Sequence, residues 1–94
     1  MMNVTFDPDK DTANQAKHGL ALSGAAELEW GAALLWPDQR KDYREVRMVG
    51  LVPAGDRLFC VVFVDRPADK PTERRVISLR KANKREVQRY ASND

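Results

Sequence analysis

The residues best suited to chemistry are cations concentrated near the carboxyl end of the chain. Residues 74–91 hold seven basic side chains and one acidic one, a local charge of +6, whereas residues 1–73 hold nine basic and twelve acidic ones, a local charge of −3. The net charge of +2 over 94 residues therefore conceals a polarised molecule. A positive field of this kind favours a polyanionic partner.

Three arginines in or beside predicted strands could bind phosphate. Arg47 lies in an alternating strand, and Arg75 and Arg80 flank the last strand. Arginine stays charged and can donate two parallel N–H bonds to phosphate oxygens. Arg47 could instead be a charge that protects a sheet edge, or the partner of Glu45, two residues back on the same strand face. Arg75 and Arg80 could instead be ordinary surface arginines that bind no phosphate.

His18 is the single histidine and the first candidate for proton transfer, because imidazole titrates near neutral pH. The structural alternative, which the sequence alone favours, is a histidine that interacts with the C-terminal dipole of a helix. Lys17, beside His18, could take part in the same chemistry or could simply be a solvated surface lysine. Tyr90 is predicted to lie in the core and not to donate a proton.

The composition and residue spacing argue against several kinds of functional site. One histidine and one cysteine, with no ligand spacing among the acids, predict no metal cluster, and five scattered glycines predict no phosphate-binding loop. No serine occupies a nucleophile-elbow sequence. Cys60 lies in an apolar run, can form no intrachain disulfide and is predicted to be buried. We therefore expect no cofactor, and either binding or metal-free acid–base chemistry.

The basic end is predicted to be a strand that leads into a short helix. Residues 75–79 have the β-branched and apolar character of a buried strand. Asn83 and Glu86 have the spacing of a capping box. The apolar residues of the helix share one face and the polar ones the other: Val87, Tyr90 and Ala91 against Lys84, Arg85, Gln88 and Arg89.

The pair Asp7-Pro8 predicts the start of an earlier helix, with Asp at the N-cap and Pro in the first turn. This helix should end at residue 17 or 18, before Gly19, which suits the left-handed C-terminal position. Its surface is so polar that only Ala13 and Ala16 could pack closely.

Apolar patterns and turn residues predict the other elements. They are a strand at residues 4–6, a second helix capped by Ser23 and ending at 30 or 33, a strand over 33–36, an exposed charged loop over 38–44, and strands over 45–52 and 57–64. The order β-α-α-β-β-β-β-α predicts one α+β domain. It would have a small antiparallel sheet, two N-terminal helices and one C-terminal helix.

The aromatic residues Trp30, Trp36, Phe59 and Phe63 are predicted to lie in the core and not to stack on bases. The first ten residues have no basic end followed by an apolar segment, and the longest apolar run is far below a membrane span. We therefore expect a cytoplasmic protein with no membrane partner.

Three blocks of residues resemble the BrnT-type toxin family, in that family's order and over essentially the whole chain. They are Phe6-Asp7-Pro8-x-Lys10 followed by Ala13-Asn14-x-x-Lys17-His18-Gly19, then Glu45-x-Arg47-x-x-x-Gly50, then Arg75-x-Ile77-Ser78-x-Arg80-Lys81-Ala82 with Glu86 and Tyr90. The chain departs from the pattern after the glycine turn, where Ala21-Leu22-Ser23-Gly24 replaces the usual aromatic or acidic residues, and at Leu79, where the family has Ala.

The resemblance implies a RelE-like fold and the toxin of a type II toxin–antitoxin pair. It also implies RNA cleavage that arrests translation. The cognate antitoxin would be BrnA-like, would cover the toxin, and would carry the DNA-binding domain through which the pair contacts DNA.

On that basis, the RNA's own 2′-hydroxyl would attack the neighbouring phosphate without a metal. Arg47, Arg75 and Arg80 would together stabilise the extra charge on the phosphorane. The remaining cations of the basic end would bind RNA or an acidic segment of the antitoxin: Lys81, Lys84, Arg85 and Arg89.

His18 is the first candidate for the acid or the base of this reaction, with Lys17 in support. Glu45 and Glu86 are alternative bases. Two rival functions stay open at this point. One is a nucleic-acid-binding domain without catalysis, and the other is a protein-interaction domain that binds an acidic peptide through its basic end.

Overall fold

A computed structural model describes residues 2–39 and 44–93 of the protein. Five strands and two α-helices follow one another as β1 (Asn3–Thr5), α1 (Pro8–His18), β2 (Leu34–Pro37), β3 (Met48–Ala54), β4 (Arg57–Arg66), β5 (Glu73–Lys81) and α2 (Lys84–Ser92). Two 3₁₀-helices, Leu22–Glu27 and Trp30–Ala32, lie between α1 and β2. The predicted α+β class is confirmed. Neither α-helix has the length and hydropathy needed to cross a membrane.

The five strands form one sheet in the order β1-β5-β4-β3-β2. The prediction of an antiparallel sheet is correct for β2 to β5 and wrong for β1, which pairs in parallel with β5 through Asn3 and Glu73. Turns join β3 to β4 and β4 to β5, and connections of that length allow only antiparallel pairing. No turn joins β1 to β5, since the rest of the chain lies between them, and the direction of β1 is therefore not fixed locally.

The two faces of the sheet carry separate apolar clusters. One face packs under the first 3₁₀-helix and includes Leu22, Val61 and Phe63, all fully buried. The other face carries Leu51 and Cys60, which pack with neighbouring apolar residues that include Tyr90 of α2. We call this second face the α2 face. Because side chains alternate along a strand, neighbouring residues of β4 serve different faces.

The four aromatic residues pack in or against these clusters, as predicted. The rings of Trp30 and Phe63 meet edge to face, with centroids 5.2 Å apart. The guanidinium of Arg74 lies 4.3 Å from the centroid of Trp30 and also donates two hydrogen bonds of 2.8 Å to Asp65. Arg74 is therefore held inside the fold by charge and by ring contact.

Helix α1 begins and ends where the sequence predicts. The backbone N–H of Asp9 donates to the side chain of Asp7, 2.8 Å away, and this bond satisfies one of the free N–H groups of the first turn. Gly19 has a φ of 71°, in the left-handed region that glycine adopts without steric cost, and its N–H closes the helix on Gln15.

The packing predicted for α1 is wrong, because Ala13 and Ala16 are exposed. The helix meets the sheet through Asn14, which is only 5% exposed. Its amide nitrogen donates to the carbonyls of Leu20 and Leu79, each at 2.8 Å, and its oxygen accepts from the N–H of Leu79 at 3.1 Å. A polar residue thus joins α1 to β5, which hydrophobic periodicity does not reveal.

The predicted second helix is two 3₁₀-helices, and its predicted cap, Ser23, lies inside the first of them, whose N-cap is Ala21. In an α-helix the N–H of Glu29 would donate to the carbonyl of Ala25. It donates instead to the carbonyl of Pro53 on β3 at 2.8 Å, while the indole N–H of Trp30 donates to Ala25. These tertiary bonds replace the α-helical pattern in this segment.

The loop predicted over residues 38–44 lies partly outside the described residues. The prediction that the loop is exposed is wrong for Asp38, which is buried. The N–H of Asp38 donates to the carbonyl of Arg47 at 2.7 Å. This bond continues the β2–β3 pairing by one residue beyond Pro37. Strand β3 begins at Met48 and not at the predicted Glu45, so Glu45 does not belong to the strand.

Helix α2 begins with the predicted capping box between Asn83 and Glu86. Within Lys84–Ser92, all of which the structure describes, no residue is buried. The helix is held by specific contacts: the hydroxyl of Tyr90 donates to the carbonyl of Ala32 at 2.6 Å, and Glu86 pairs with a strand residue described below. Tyr90, predicted to lie in the core, is half-buried and packs against the apolar cluster of the α2 face.

Candidate functional site

Arg47 and Arg75 lie in one row across the α2 face of the sheet. Val64 on β4 pairs with Arg75 on β5, and Met48 on β3 pairs with Phe63. Continuing the second pairing by one residue puts Arg47 beside Val64 on its other side. Paired residues of antiparallel strands share a face, so the pairing brings the two predicted phosphate-binding arginines to the same face.

A cleft of about 400 Å³ opens at this end of the α2 face, and we call it the cationic cleft. Its lining contains five basic and two acidic side chains, together with apolar residues of β4 and β5: Lys10, Arg44, Arg47, Arg66 and Arg75 with Asp7 and Glu45. The excess of positive charge in a concave surface attracts polyanions. Of the residues that the sequence predicts for catalysis, the cleft unites Glu45, Arg47 and Arg75.

The carboxylate of Glu45 is bound by Arg66, the last residue of β4. Arg66 donates two hydrogen bonds to it, of 2.6 and 2.7 Å. These bonds hold the pKa of Glu45 below its usual value, and the charge of Arg47 acts in the same direction. The same pairing raises the pKa of Arg66. Glu45 is therefore ionised at neutral pH and reluctant to take up a proton while Arg66 holds it.

Arg80 lies farther along the same face, where its guanidinium donates hydrogen bonds of 2.7 and 2.8 Å to the carboxylate of Glu86. The bond from Arg80 is the main cause of a lowered pKa at Glu86, and the Asn83 N–H and the Cys60 thiol also hydrogen-bond to this carboxylate. Partial burial acts in the opposite direction. A carboxylate with this many donors is a poor proton acceptor, which weakens its candidacy as the general base.

His18 and Lys17 are not among the residues that line the cationic cleft. Lys10 lines the cleft at the other end of α1, and a rise of about 1.5 Å per residue separates it from His18 by about 12 Å along the helix axis. The structure therefore does not bring His18 and Lys17 together with Arg47 and Arg75.

The other predicted binding residues lie on and before α2. Lys81, Lys84 and Arg85 are exposed, as a surface that binds a polyanion requires. Arg89 is also exposed, but its guanidinium lies 3.9 Å from the ring centroid of Trp36, and it holds α2 against the sheet.

Three cations of the cleft were not predicted as site residues: Lys10, Arg44 and Arg66. Lys10 lies within the first block of the family resemblance, so a signal for it existed in the sequence. Arg66 ends β4 beside the start of β5, and no motif marks it. Its position in the cleft depends on the pairing of β4 with β5, which only the fold reveals.

Across residues 2–39 and 44–93, the structure shows no group of three or more His, Cys, Asp or Glu side chains arranged to hold a metal ion. The chemistry that the described residues can supply is electrostatic stabilisation of an anion by arginine and lysine, with carboxylates nearby that could exchange protons.

Two comparisons with known proteins agree with this geometry. A family model described as the ribonuclease toxin BrnT of a type II toxin–antitoxin system matches residues 6–86. The crystal structure of the Brucella abortus ribonuclease toxin BrnT superposes with a TM-score of 0.64 at 26% sequence identity, over 89% of this chain and 100% of the Brucella chain. No curated protein sequence matches the chain.

The α+β fold, the cationic cleft and these matches together define a ribonuclease toxin of a type II toxin–antitoxin system. The chain belongs to the BrnT family. Membership of this family implies an RNA substrate and a cognate antitoxin.

Proposed function

We propose that the protein cleaves RNA in the cationic cleft without a metal ion, and that this cleavage inhibits translation. The observation that carries the proposal is the convergence of Arg47, Arg66 and Arg75 with the carboxylate of Glu45 in one concave surface. RNA contains its own nucleophile in the 2′-hydroxyl, so the protein has only to move protons and stabilise charge.

The proposed reaction is a transfer of the phosphoryl group within the RNA. A base removes the 2′-hydroxyl proton, the 2′-oxygen forms a bond to phosphorus, and the bond from phosphorus to the 5′-oxygen breaks. An acid gives a proton to the departing 5′-oxygen. The products are a 2′,3′-cyclic phosphate and a 5′-hydroxyl end, and no oxidant, reductant or co-substrate is consumed.

Arg47 and Arg75 are proposed to bind the phosphate that is cleaved. Their positions in one row on either side of Val64 support this, since two guanidinium groups could approach one phosphate from opposite sides. Arg80 is five residues from Arg75 along β5, about 16 Å at the usual rise of about 3.3 Å per residue. Arg80 is therefore proposed to bind a neighbouring part of the RNA strand.

Glu45 is the proposed base, because it is the candidate base that lines the cleft. Arg66 holds its pKa low in the free protein. A phosphate that draws Arg66 away would remove this effect and return Glu45 toward its ordinary basicity. His18 supported by Lys17, and Glu86, stay as the alternative proton-transfer groups.

The cognate antitoxin is proposed to be a BrnA-like protein that covers the basic surface and contacts DNA through its own binding domain. The exposed cations near α2 would meet either RNA or an acidic segment of this antitoxin: Lys81, Lys84, Arg85 and Arg89. We propose that the toxin acts in the cytoplasm, where translation takes place.

The decisive experiment is incubation of the purified protein with end-labelled RNA in the presence of EDTA. The expected products carry cyclic-phosphate ends, and Arg75→Ala should slow their formation by about a hundredfold or more, because an anion-stabilising donor is lost. Arg57→Ala is the matched control: Arg57 is an exposed arginine at the far end of the β3–β4 hairpin and should leave the rate unchanged.

RNA that stays intact in EDTA but is cleaved when a divalent metal is restored would contradict the metal-free mechanism. Binding without cleavage under either condition, and without growth arrest on expression, would instead favour a nucleic-acid-binding domain. Equal rates for Arg75→Ala and Arg57→Ala would remove the cationic cleft from the reaction.

A further inference from the structure

A second depression, of about 220 Å³, lies on the α2 face between the end of β2 and the start of α2. Arg80 and Glu86, which have roles in the proposed function, line part of it, and its other lining residues have no role there. Its floor is apolar and consists of Val49, Cys60 and Val62. We call it the Trp36 pocket after the aromatic residue in its wall.

The walls of the Trp36 pocket combine an aromatic ring with hydrogen-bonding groups. Trp36 lies over the sheet beside Val49, with which it pairs, and the guanidinium of Arg89 at 3.9 Å fixes the indole in place. Asp38, Gln39 and Glu86 contribute oxygen atoms that accept hydrogen bonds. An apolar floor, an aromatic wall and polar groups suit a planar ring that carries hydrogen-bonding groups at its edge.

The pocket lies next to the cationic cleft on the sheet. Val62 in the pocket and Val64 in the cleft are two residues apart on β4, about 7 Å at the usual strand rise. The N–H of Asp38, in the pocket wall, donates to the carbonyl of Arg47, whose side chain lines the cleft. A phosphate in the cleft would therefore have an adjoining nucleotide within reach of the pocket.

We propose that the Trp36 pocket binds an RNA base next to the cleaved phosphate, and that it prefers guanine. This inference rests on the proposed cleavage in the cationic cleft and adds a base preference to it. Sequence-specific recognition of RNA commonly uses unstacked bases that lie against aromatic side chains and are read at their Watson–Crick edges.

The preference for guanine follows from the carboxylate in the pocket wall. The two oxygens of Asp38 accept hydrogen bonds, and guanine alone among the four bases presents two adjacent N–H donors at its Watson–Crick edge. Adenine, cytosine and uracil each place an acceptor beside a donor there. A carboxylate has about four lone-pair sites, so Asp38 can accept from a base while it keeps the contacts it has in the folded protein.

The test is a comparison of cleavage rates among RNAs that differ in one base beside the cleaved bond. For the wild type, the RNA with guanine at one flanking position should be cleaved about tenfold faster than its counterparts, as expected when one bidentate pair discriminates among bases. Asp38→Asn should reduce this ratio to near one, and Gln39→Ala should reduce it partly. Arg57→Ala should leave it unchanged. A ratio between substrates is insensitive to a partial loss of folded or active enzyme.

Uniform cleavage of all the RNAs by the wild type would overturn the pocket proposal and leave the cleavage proposal standing. A guanine preference that survives in both Asp38→Asn and Gln39→Ala would also overturn it, because the recognition would then lie elsewhere.

Titration with guanosine 3′-monophosphate and with uridine 3′-monophosphate separates binding from cleavage. The indole N–H signal of Trp36 in a nitrogen-15 NMR spectrum should shift with the guanosine compound and much less with the uridine compound. A selective shift with the guanosine compound, in a protein that cleaves no RNA, would support base binding in the Trp36 pocket and contradict the proposed cleavage reaction. Equal shifts, or none, would contradict the pocket.

Discussion

Arg80 of β5 and Glu86 of α2 are joined by two hydrogen bonds, of 2.7 and 2.8 Å, one to each carboxylate oxygen. The same carboxylate accepts a hydrogen bond of 2.8 Å from the backbone N–H of Asn83 and completes the capping box of the helix. One acidic side chain thus joins a strand to a helix that has no buried residue of its own. This arrangement makes Glu86 a structural residue first.

We predict that Glu86→Gln lowers the free energy of unfolding by about 1–3 kcal/mol, because the charge-assisted pair with Arg80 is lost, while the amide oxygen of Gln can still accept the capping bond from Asn83. Urea denaturation measures the change. Glu27→Gln, at an exposed acidic position, is the control and should alter stability by less than about 0.5 kcal/mol. Equal effects of the two substitutions would contradict a structural role for the Arg80 pair.

The stabilisation by Glu86 should depend on pH in a defined direction. Its pKa in the folded protein is lowered from the ordinary value of 4.5, so the unfolded state binds the proton more readily. The stability difference between wild type and Glu86→Gln should be complete above about pH 5 and should shrink as the pH falls below 4.5. Denaturation curves of both proteins across this range measure it, and a difference that grows on acidification would contradict the assignment.

Asn14→Ala should destabilise the protein by about 2–4 kcal/mol, because the backbone groups of Leu79 lose buried hydrogen bonds and Leu20 loses a donor. Asn14→Asp should be at least as harmful, since a carboxylate cannot donate to the two carbonyls. Gln15→Ala changes an exposed neighbour on the same helix and is the control. Similar denaturation midpoints for Asn14→Ala and Gln15→Ala would show that the Asn14 bonds contribute little.

Two lysines of α1 distinguish the cationic cleft from the His18 end of the helix as the place of cleavage. Lys10 lines the cleft and Lys17 does not, although both are exposed and both lie on the same helix. We predict that Lys10→Ala lowers the rate of RNA cleavage about tenfold or more through the loss of a positive charge near the phosphate, and that Lys17→Ala has little effect. A larger loss of cleavage rate in Lys17→Ala than in Lys10→Ala would place the reaction at the His18 end of α1.

Arg66→Ala should change the dependence of cleavage on pH. Without Arg66 the pKa of Glu45 should rise toward its ordinary 4.5, because the hydrogen bonds that lower it are gone. If Glu45 is the base, the acidic limb of the pH profile of kcat/KM moves to higher pH in this variant. An acidic limb that does not move in Arg66→Ala but is lost in His18→Ala would identify His18 as the titrating group instead.

The elements predicted correctly from the sequence are those whose hydrogen bonds close within a few residues. The caps of α1 at Asp7 and Gly19, and the capping box of α2, are local motifs and appear as expected. The 3₁₀-helices were mistaken for an α-helix because Glu29 bonds to Pro53, a partner far away in the sequence. The role of Asn14 was missed for the same reason, since its partner Leu79 is even more remote in the sequence.

The candidate site was predictable to the extent that it depends on residue type and strand alternation. Arg47 and Arg75 could be proposed as phosphate ligands from their chemistry, and the strand pairing brings both to one face. Arg66 could not be found, because its contribution depends on where β4 ends relative to β5. The pairing of Glu45 with Arg66 likewise joins two elements whose proximity no local pattern indicates.

The parallel pairing of β1 with β5 bears on how a newly made toxin molecule behaves. Synthesis proceeds from the amino end, and Asn3 has no sheet partner until Glu73 has been made. Lys10 comes from α1, Arg47 directly precedes β3, and Arg75 comes from β5. A nascent chain therefore lacks part of the cleft until its last strand emerges. If RNA is cleaved in the cationic cleft as proposed, a chain that has not yet reached Arg75 would not cleave the RNA from which it is being made.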